Sequence, residues 1–180
     1  MLMSAENACL LIVDVQQRLL TAMDSPRTVM SGCSLLMKAA GVLEVPMVVT
    51  EQYPEGLGPT VEPLAELTPE DAFFAKLHFS SVKNPAIRGK IDSLKPDQVV
   101  IGGIEAHVCV LQSAIGLKEA GYEVFVVADA TSSRSASNPA AAMSRVREAG
   151  VGIVTSEMIV FEWLEKAGTP EFKELSRLLK

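Results

Sequence analysis

The sequence predicts a three-layer α/β/α sandwich of Rossmann-like type, with a mostly parallel six-stranded sheet. Short apolar runs of strand length recur along the chain, and segments with helical periodicity lie between them. The runs are largely continuous rather than alternating, which is typical of strands buried on both faces of a parallel sheet. Strand twist makes the crossovers between such strands right-handed.

Five apolar runs rich in β-branched residues are predicted as strands, and a sixth is weaker. The five are residues 9–13 (CLLIV), 45–50 (VPMVVT), 99–104 (VVIGGI), 124–128 (VFVVA) and 151–155 (VGIVT), and the sixth is 73–75 (FFA).

Four helices are predicted from capping residues and apolar faces. They begin at Ser25 with Pro26, at Cys109, at Asn138 with Pro139 and at Thr169 with Pro170, and the first three end at Gly41, Gly121 and Gly150. We expect a single domain over residues 1–180. The longest irregular region, 51–69, carries four prolines and two glycines, a composition typical of a lid or an oligomer contact.

Composition excludes several classes of protein. Hydrophobic residues make up 48% of the chain, charged residues 21%, and the net charge is −6, which argues against a general nucleic-acid binder. The first apolar run stops at Asp14 and has no positive flank, so neither a signal peptide nor a membrane span is expected. Three cysteines without framework spacing indicate free thiols and a cytoplasmic location.

Polar residues follow the predicted strands at the edge where open α/β sheets bind ligands. They are Asp14, Glu51, Lys76, Cys109 and Asp129, and we expect them to converge on one crevice.

Cys109 has two interpretations. A free cysteine is most often a small buried apolar residue, which is how we interpret Cys9 and Cys33. A cysteine at a helix N-terminus, however, meets positive partial charge and free N–H groups, so we expect the pKa of Cys109 to be lowered.

The carboxylate and the lysine are also open to two interpretations. Asp14 suits a strand-end cap or the proton acceptor of a thiol nucleophile, and Lys76 suits a solvated surface or a charge that keeps Asp14 ionised. His107 is interpreted as a structural histidine or a pocket wall rather than the base of Cys109. Two histidines without a carboxylate at metal spacing make a weak case for a metal.

These residues lie in four segments that together resemble the isochorismatase-like cysteine hydrolases, the superfamily of nicotinamidases and N-carbamoylsarcosine amidases. The segments are LLIVDVQQRL, FAKLHFSS, GGIEAHVCVLQSA and VVADATSSRS. The resemblance implies a triad of Asp14, Lys76 and Cys109. It also implies a cis peptide bond between Ile104 and Glu105, which aims the N–H groups of Glu105 and Cys109 at an oxyanion.

The sequence departs from two groups of the superfamily, and these differences narrow the range of functions that the resemblance implies. Zinc-dependent nicotinamidases carry an Asp-x-His pair after the second strand, whereas this chain reads TEQYPEGLGPT, so it resembles the metal-free branch and no cofactor is expected. True isochorismatases do not depend on a cysteine nucleophile, so Cys109 argues against isochorismate as the substrate.

The predicted function is a cysteine-dependent hydrolase of a small amide or related C–N or carbonyl substrate, through a thioester on Cys109. Gln52, Phe79 and His107 are predicted to contact the substrate. The resemblance implies a homo-oligomer, and the composition predicts no nucleic-acid or membrane partner. One alternative is a catalytically silent binding or scaffold protein that keeps the fold. Another, a nuclease, is disfavoured by the charge of −6.

Overall fold

A computed structural model of the chain describes residues 1–179. The strands are β1 (Ala8–Val13), β2 (Met47–Gln52), β3 (Phe73–Lys76), β4 (Gln98–Ile104), β5 (Glu123–Ser132) and β6 (Gly152–Val154). They form one sheet in the order β3-β2-β1-β4-β5-β6, and every pairing between neighbouring strands in this range is parallel. The predicted six-stranded sheet is therefore confirmed.

Helices connect the strands and cover both faces of the sheet. They are α1 (Gln17–Leu20), α2 (Pro26–Val42), α3 (Pro54–Leu57), α4 (Glu62–Ala65), α5 (Pro85–Leu94), α6 (Leu111–Glu119), α7 (Ser137–Glu148), α8 (Ser156–Leu164) and α9 (Pro170–Leu175). A π-helix, Ala106–Val110, leads into α6. None of the helices within residues 1–179 is long and apolar enough to cross a membrane.

Two apolar cores lie on opposite faces of the sheet, which confirms the three-layer sandwich. Helices α2, α8 and α9 pack on one face, and α5, α6 and α7 pack on the other. Strand β1 contributes side chains to both cores. Leu10 and Ile12 belong to the first core, and Leu11 and Val13 belong to the second. Burial on both faces explains why the strand sequences are continuous apolar runs.

The strand order creates one switch point beside β1. The chain runs outward from β1 through β2 to β3, then returns to place β4 on the other side of β1. Crevices at the carboxyl ends of strands open where the order reverses in this way. The exits of β1 and β4 are therefore the expected place for a ligand.

Several predicted boundaries were wrong. Helix α2 runs through Gly41 to Val42, and β5 extends to Ser132, so Asp129 lies inside a strand rather than after one. The predicted irregular region contains α3 and α4. Helix α8 was missed because its sequence, SEMIVFEWL, carries six apolar residues out of nine and shows little amphipathic pattern. Helix α5 was missed although Asn84 caps it by accepting from the N–H groups of Ala86 and Ile87.

Gly103 allows β1 and β4 to approach each other at their carboxyl ends. Its φ is +117°, and a Cβ built on it would lie 2.1 Å from the carbonyl oxygen of Val13, its register partner. Main-chain atoms form this obstacle, so it does not yield by a rotamer change. Only glycine fits here.

We therefore expect Gly103→Ala to lower the free energy of unfolding by about 3 kcal/mol or more, from overpacking and a disfavoured φ. Gly41→Ala is the control: nothing lies within 4 Å of its added Cβ, and it should leave stability unchanged or raise it by up to ~1 kcal/mol. Urea unfolding measures both. Equal stability of the two variants would contradict this account of Gly103.

The buried thiol of Cys33 makes the free energy of unfolding depend on pH in the alkaline range. Burial, with a smaller effect of the Asp129 charge, raises the pKa of this thiol from 9.0 to about 12. Between these values the unfolded chain loses the proton while the native chain keeps it. Because the native state then binds more protons, stability falls as pH rises, by up to ~1.4 kcal/mol per unit for this group.

Cys33→Ala removes this titration, so we expect the stability difference between wild type and variant to shrink by about 2 kcal/mol from about pH 9 to about pH 10.5. Denaturant unfolding at the two pH values measures the change. Gly41→Ala titrates nothing and should keep a constant difference from wild type. A constant difference for Cys33→Ala would show that the native thiol ionises normally.

Candidate active site

Asp14 follows directly on β1 and turns its carboxylate into the protein. Its φ is +54°, a left-handed conformation in which aspartate is among the more common non-glycine residues. Its N–H donates to the carbonyl of Thr50 at 3.0 Å, and its Oδ1 accepts from Thr50 Oγ1 at 2.7 Å. The residue is fully buried. The end of β2 thus fixes the orientation of this carboxylate.

Lys76 is the last residue of β3, and its ammonium reaches across β2 to Asp14. Its Nζ lies 2.7 Å from Asp14 Oδ2, 2.6 Å from Gln52 Oε1 and 3.3 Å from the Phe79 carbonyl. Both side chains of the ion pair have zero exposure. An ammonium has three N–H donors, so these three acceptors satisfy it completely.

Cys109 lies in the π-helix after β4 and is 5% exposed. Burial, above all, raises the pKa of this thiol to about 12; the negative charge of Asp14 raises it too, whereas the positive charge of Lys76 lowers it. The expected lowering of the pKa is therefore wrong. The thiol does lie at the start of a helix, but the loss of solvent outweighs that effect.

The three residues of the predicted triad thus meet at one place. They come from the exits of β1, β3 and β4, and the carboxylate and the ammonium both act on the thiol. At rest the thiol is neutral beside an ion pair. Chemically, this arrangement offers a sulfur nucleophile with a carboxylate nearby as its proton acceptor.

The turn before Cys109 has the expected backbone form. The peptide bond between Ile104 and Glu105 is cis. The Glu105 carboxylate is buried. It accepts a hydrogen bond from Arg134 Nε at 3.1 Å and another from the main-chain N–H of Arg134 at 3.0 Å. Arg134 thereby ties the turn to the end of β5. Stabilisation of an oxyanion by the N–H groups of Glu105 and Cys109 stays a prediction.

The three predicted substrate contacts have different surroundings. The Gln52 amide is held by Lys76 and by the Leu77 carbonyl, and Phe79 is 53% exposed beside the site. The two ring nitrogens of His107 lie 2.9 Å from Ser133 Oγ and 3.2 Å from Asn138 Nδ2. These contacts favour the interpretation of His107 as structural. Substrate contact by any of the three residues stays a prediction.

Two strand-end carboxylates expected in the crevice have other partners. Glu51 Oε1 accepts from the N–H and the hydroxyl of Thr60, both at 2.7 Å. Asp129 accepts from the N–H and the hydroxyl of Ser156, both at 2.7 Å, and so caps α8. Both residues stabilise connections, and the prediction that they join the site is wrong.

Sequence reasoning missed three residues that organise the site. Thr50 orients Asp14, Arg134 holds Glu105, and Gln16 binds the main chain of Gln52. Arg134 lies in VVADATSSRS and Gln16 in LLIVDVQQRL, two of the four segments that carry the family resemblance, and Thr50 opens TEQYPEGLGPT, which resembles the metal-free branch; these segments are the signal that was available. Gln16 follows Asp14 by two residues and reads as an ordinary surface glutamine, although it is fully buried.

The described part of the chain contains no group of three or more His, Cys, Asp or Glu side chains arranged to hold a metal ion.

The fold and the crevice place the chain among doubly wound α/β proteins that bind ligands at the carboxyl edge of the sheet. The family model described as the isochorismatase domain matches residues 8–158. The chain belongs to the isochorismatase family and has the hydrolase fold of that family.

The similarity to known proteins extends over nearly the whole chain. Isochorismatase domain-containing protein 2 of Danio rerio is 37% identical over 180 residues, which cover 98% of this chain and 89% of that protein. The solved structure of the MAR1 ribonuclease from Caenorhabditis elegans is 35% identical with a TM-score of 0.93, over 99% of this chain and 92% of that one. The YcaC gene product of Escherichia coli, an octameric hydrolase of unknown specificity, is 23% identical with a TM-score of 0.93, over 98% and 90% of the two chains.

The buried ion pair can be tested without a substrate. Lys76→Met leaves the Asp14 carboxylate buried without a counter-charge, so we expect a loss of about 3–5 kcal/mol in the free energy of unfolding. The double variant Asp14→Asn with Lys76→Met removes both charges and should be more stable than the single variant, as urea unfolding will show. A double variant less stable than Lys76→Met would contradict the buried pair.

Proposed function

We propose that the protein is a cysteine-dependent hydrolase of a small amide or related C–N or carbonyl compound, acting through a thioester on Cys109. The observation that carries the proposal is the meeting of a buried thiol, a carboxylate and an ammonium at the switch point of the sheet. A thiol with a perturbed pKa in such a crevice is typical of catalytic sites. Membership of the isochorismatase family agrees with hydrolysis.

The raised pKa of Cys109 determines how the first step runs. With a pKa of about 12, the thiolate fraction at neutral pH is negligible, so attack and deprotonation occur together. Asp14 takes the thiol proton as the sulfur bonds to the substrate carbonyl carbon. The π electrons of that carbonyl move onto its oxygen, which the N–H groups of Glu105 and Cys109 stabilise, by about 2.7–4 kcal/mol per donor.

The second half of the cycle restores the thiol. The tetrahedral intermediate collapses, the C–N bond breaks, and Asp14 gives its proton to the leaving amine. Water then attacks the thioester while Asp14 accepts one of its protons. The C–S bond breaks, an acid leaves, and the sulfur takes the proton back. Lys76 stabilises the negative charge that moves between Asp14 and the sulfur.

The rival functions differ in what they require. The name of the Caenorhabditis elegans relative indicates RNA as its substrate. A net charge of −6 supports a small-molecule substrate for this chain, because binding of RNA phosphates depends on positive charge. A silent scaffold would need neither the buried ion pair nor its contact with a thiol.

Assembly and location are part of the same proposal. The octameric state of the Escherichia coli relative supports a homo-oligomer, with the segment 51–69 and the helices α7 and α9, predicted to begin at Asn138 and Thr169, as candidate contacts. A cytoplasmic location and the absence of nucleic-acid and membrane partners stay predictions from composition.

Cys109→Ala should abolish ammonia release from any primary amide that the wild type hydrolyses in a panel of small amides. It should also remove iodoacetamide labelling at this position, because the sulfur is the nucleophile. In the wild type, labelling should rise with pH beyond 9, since the pKa of the thiol is raised to about 12.

Cys33→Ala, which removes a thiol from the core, is the control and should keep full turnover. Full amide hydrolysis by Cys109→Ala would overturn the proposal. So would the absence of any amide turnover by the wild type together with RNA cleavage that persists in Cys109→Ala.

A further inference from the structure

Gln52 is bound on every side by the protein itself. It is the last residue of β2 and is 9% exposed. Its N–H donates to Gln16 Oε1 at 2.7 Å and its carbonyl accepts from Gln16 Nε2 at 3.0 Å. Its Nε2 donates to the Leu77 carbonyl at 2.8 Å, and its Oε1 accepts from Lys76 at 2.6 Å. Each of its four polar groups thus has an internal partner.

The contact with Lys76 differs in kind from the other three. The acceptors around the Lys76 ammonium are the Asp14 carboxylate, the Gln52 amide and the more distant Phe79 carbonyl. Asp14 supplies the counter-charge. The neutral amide of Gln52 orients the ammonium, because it accepts a second N–H hydrogen bond without adding a negative charge that would compete with Asp14.

We infer that Gln52 is a positioning residue that acts on the site through Lys76, rather than a contact for the substrate as the sequence predicted. The inference rests on the proposed role of Lys76 beside the thiol. It assigns the amide the task of holding the ammonium where it faces both Asp14 and Cys109.

Gln16 extends this arrangement to the neighbouring loop. Its Nε2 donates to the Gly58 carbonyl at 2.7 Å as well as to the main chain of Gln52. The end of α3, the end of β2 and the Lys76 ammonium are therefore joined by one chain of hydrogen bonds, which is partly buried at Gly58 and buried at Gln52 and Lys76. Since an unmade buried bond is costly, this chain keeps Gln52 in a single orientation.

Displacement of the ammonium should change the reactivity of the thiol. Lys76 is the group that favours the thiolate, against burial and the Asp14 charge. When the Gln52 acceptor is lost, the ammonium is no longer held in its position near the thiol, and less thiolate forms at a given pH. Alkylation of Cys109 reads this out and needs no substrate.

Gln52→Met keeps the length of the side chain and removes the acceptor. We expect its rate of Cys109 alkylation by iodoacetamide at about pH 8, followed by peptide mass spectrometry, to fall roughly tenfold, the change that one unit of thiol pKa produces. In a Lys76→Met background the same substitution should have no further effect, because the group through which it acts is gone. A direct contact with the reagent would lower the rate in both backgrounds.

Thr60→Val is the matched control, because it removes a hydroxyl bond to Glu51 in the same loop without touching Lys76, and it should leave the rate unchanged. If Gln52→Met does not fold, Gln52→Asn replaces it, since the shorter side chain withdraws the amide oxygen from Nζ and should lower the rate only when Lys76 is present.

The possible failures are distinct. If Lys76→Met alone leaves the alkylation rate unchanged, the proposed role of Lys76 is wrong and the inference falls with it. If Lys76→Met lowers the rate but the Gln52 variant matches wild type, or lowers the rate equally in both backgrounds, only the inference is overturned.

Discussion

The buried ion pair between Asp14 and Lys76 is the interaction on which the rest of the site depends. It joins the exits of β1 and β3 across β2, and β2 contributes Thr50 and Gln52 to complete the hydrogen bonds of both charges. Charges without solvent are tolerated only when they are paired and fully hydrogen-bonded. The pair therefore holds three strand ends in one relative position, and the thiol after β4 meets a fixed arrangement of charge.

That arrangement explains how one thiol can be protonated at rest and still act as the nucleophile of the proposed reaction. Burial and the Asp14 charge keep Cys109 protonated, while the Lys76 charge favours the opposite state. In the proposed mechanism, the transfer of the proton to Asp14 removes the charge that disfavoured the thiolate. The same carboxylate thus opposes ionisation before the reaction and makes it possible during the reaction. A surface thiol has no comparable control.

The sheet and the positions of Asp14, Lys76 and Cys109 near its carboxyl edge were accessible to sequence reasoning, because both follow from local patterns, and the family resemblance implied that the three residues form a triad. Continuous apolar runs identified all six strands, and the polar residue after each run included Asp14, Lys76 and Cys109. The same reasoning failed at α8, where a mostly apolar sequence hides the helical period, and at β5, which continues through Asp129. It also placed Glu51 and Asp129 in the crevice. In the sequence, a carboxylate at a strand end looks the same whether it faces a crevice or binds a neighbouring segment.

The sequence by itself determined the class of fold and the chemical groups available at the carboxyl edge of the sheet. It also determined the resemblance to the metal-free branch of the isochorismatase-like hydrolases. Periodicity, capping and residue type suffice for these conclusions, because they are properties of short segments. Only the tertiary structure decided which of those groups meet. It reversed the expected shift of the Cys109 pKa, bound Glu51 to Thr60 and Asp129 to Ser156, and directed Gln52 at Lys76. These outcomes depend on the exclusion of water and on contacts between residues far apart in the chain. No short stretch of the sequence contains that information.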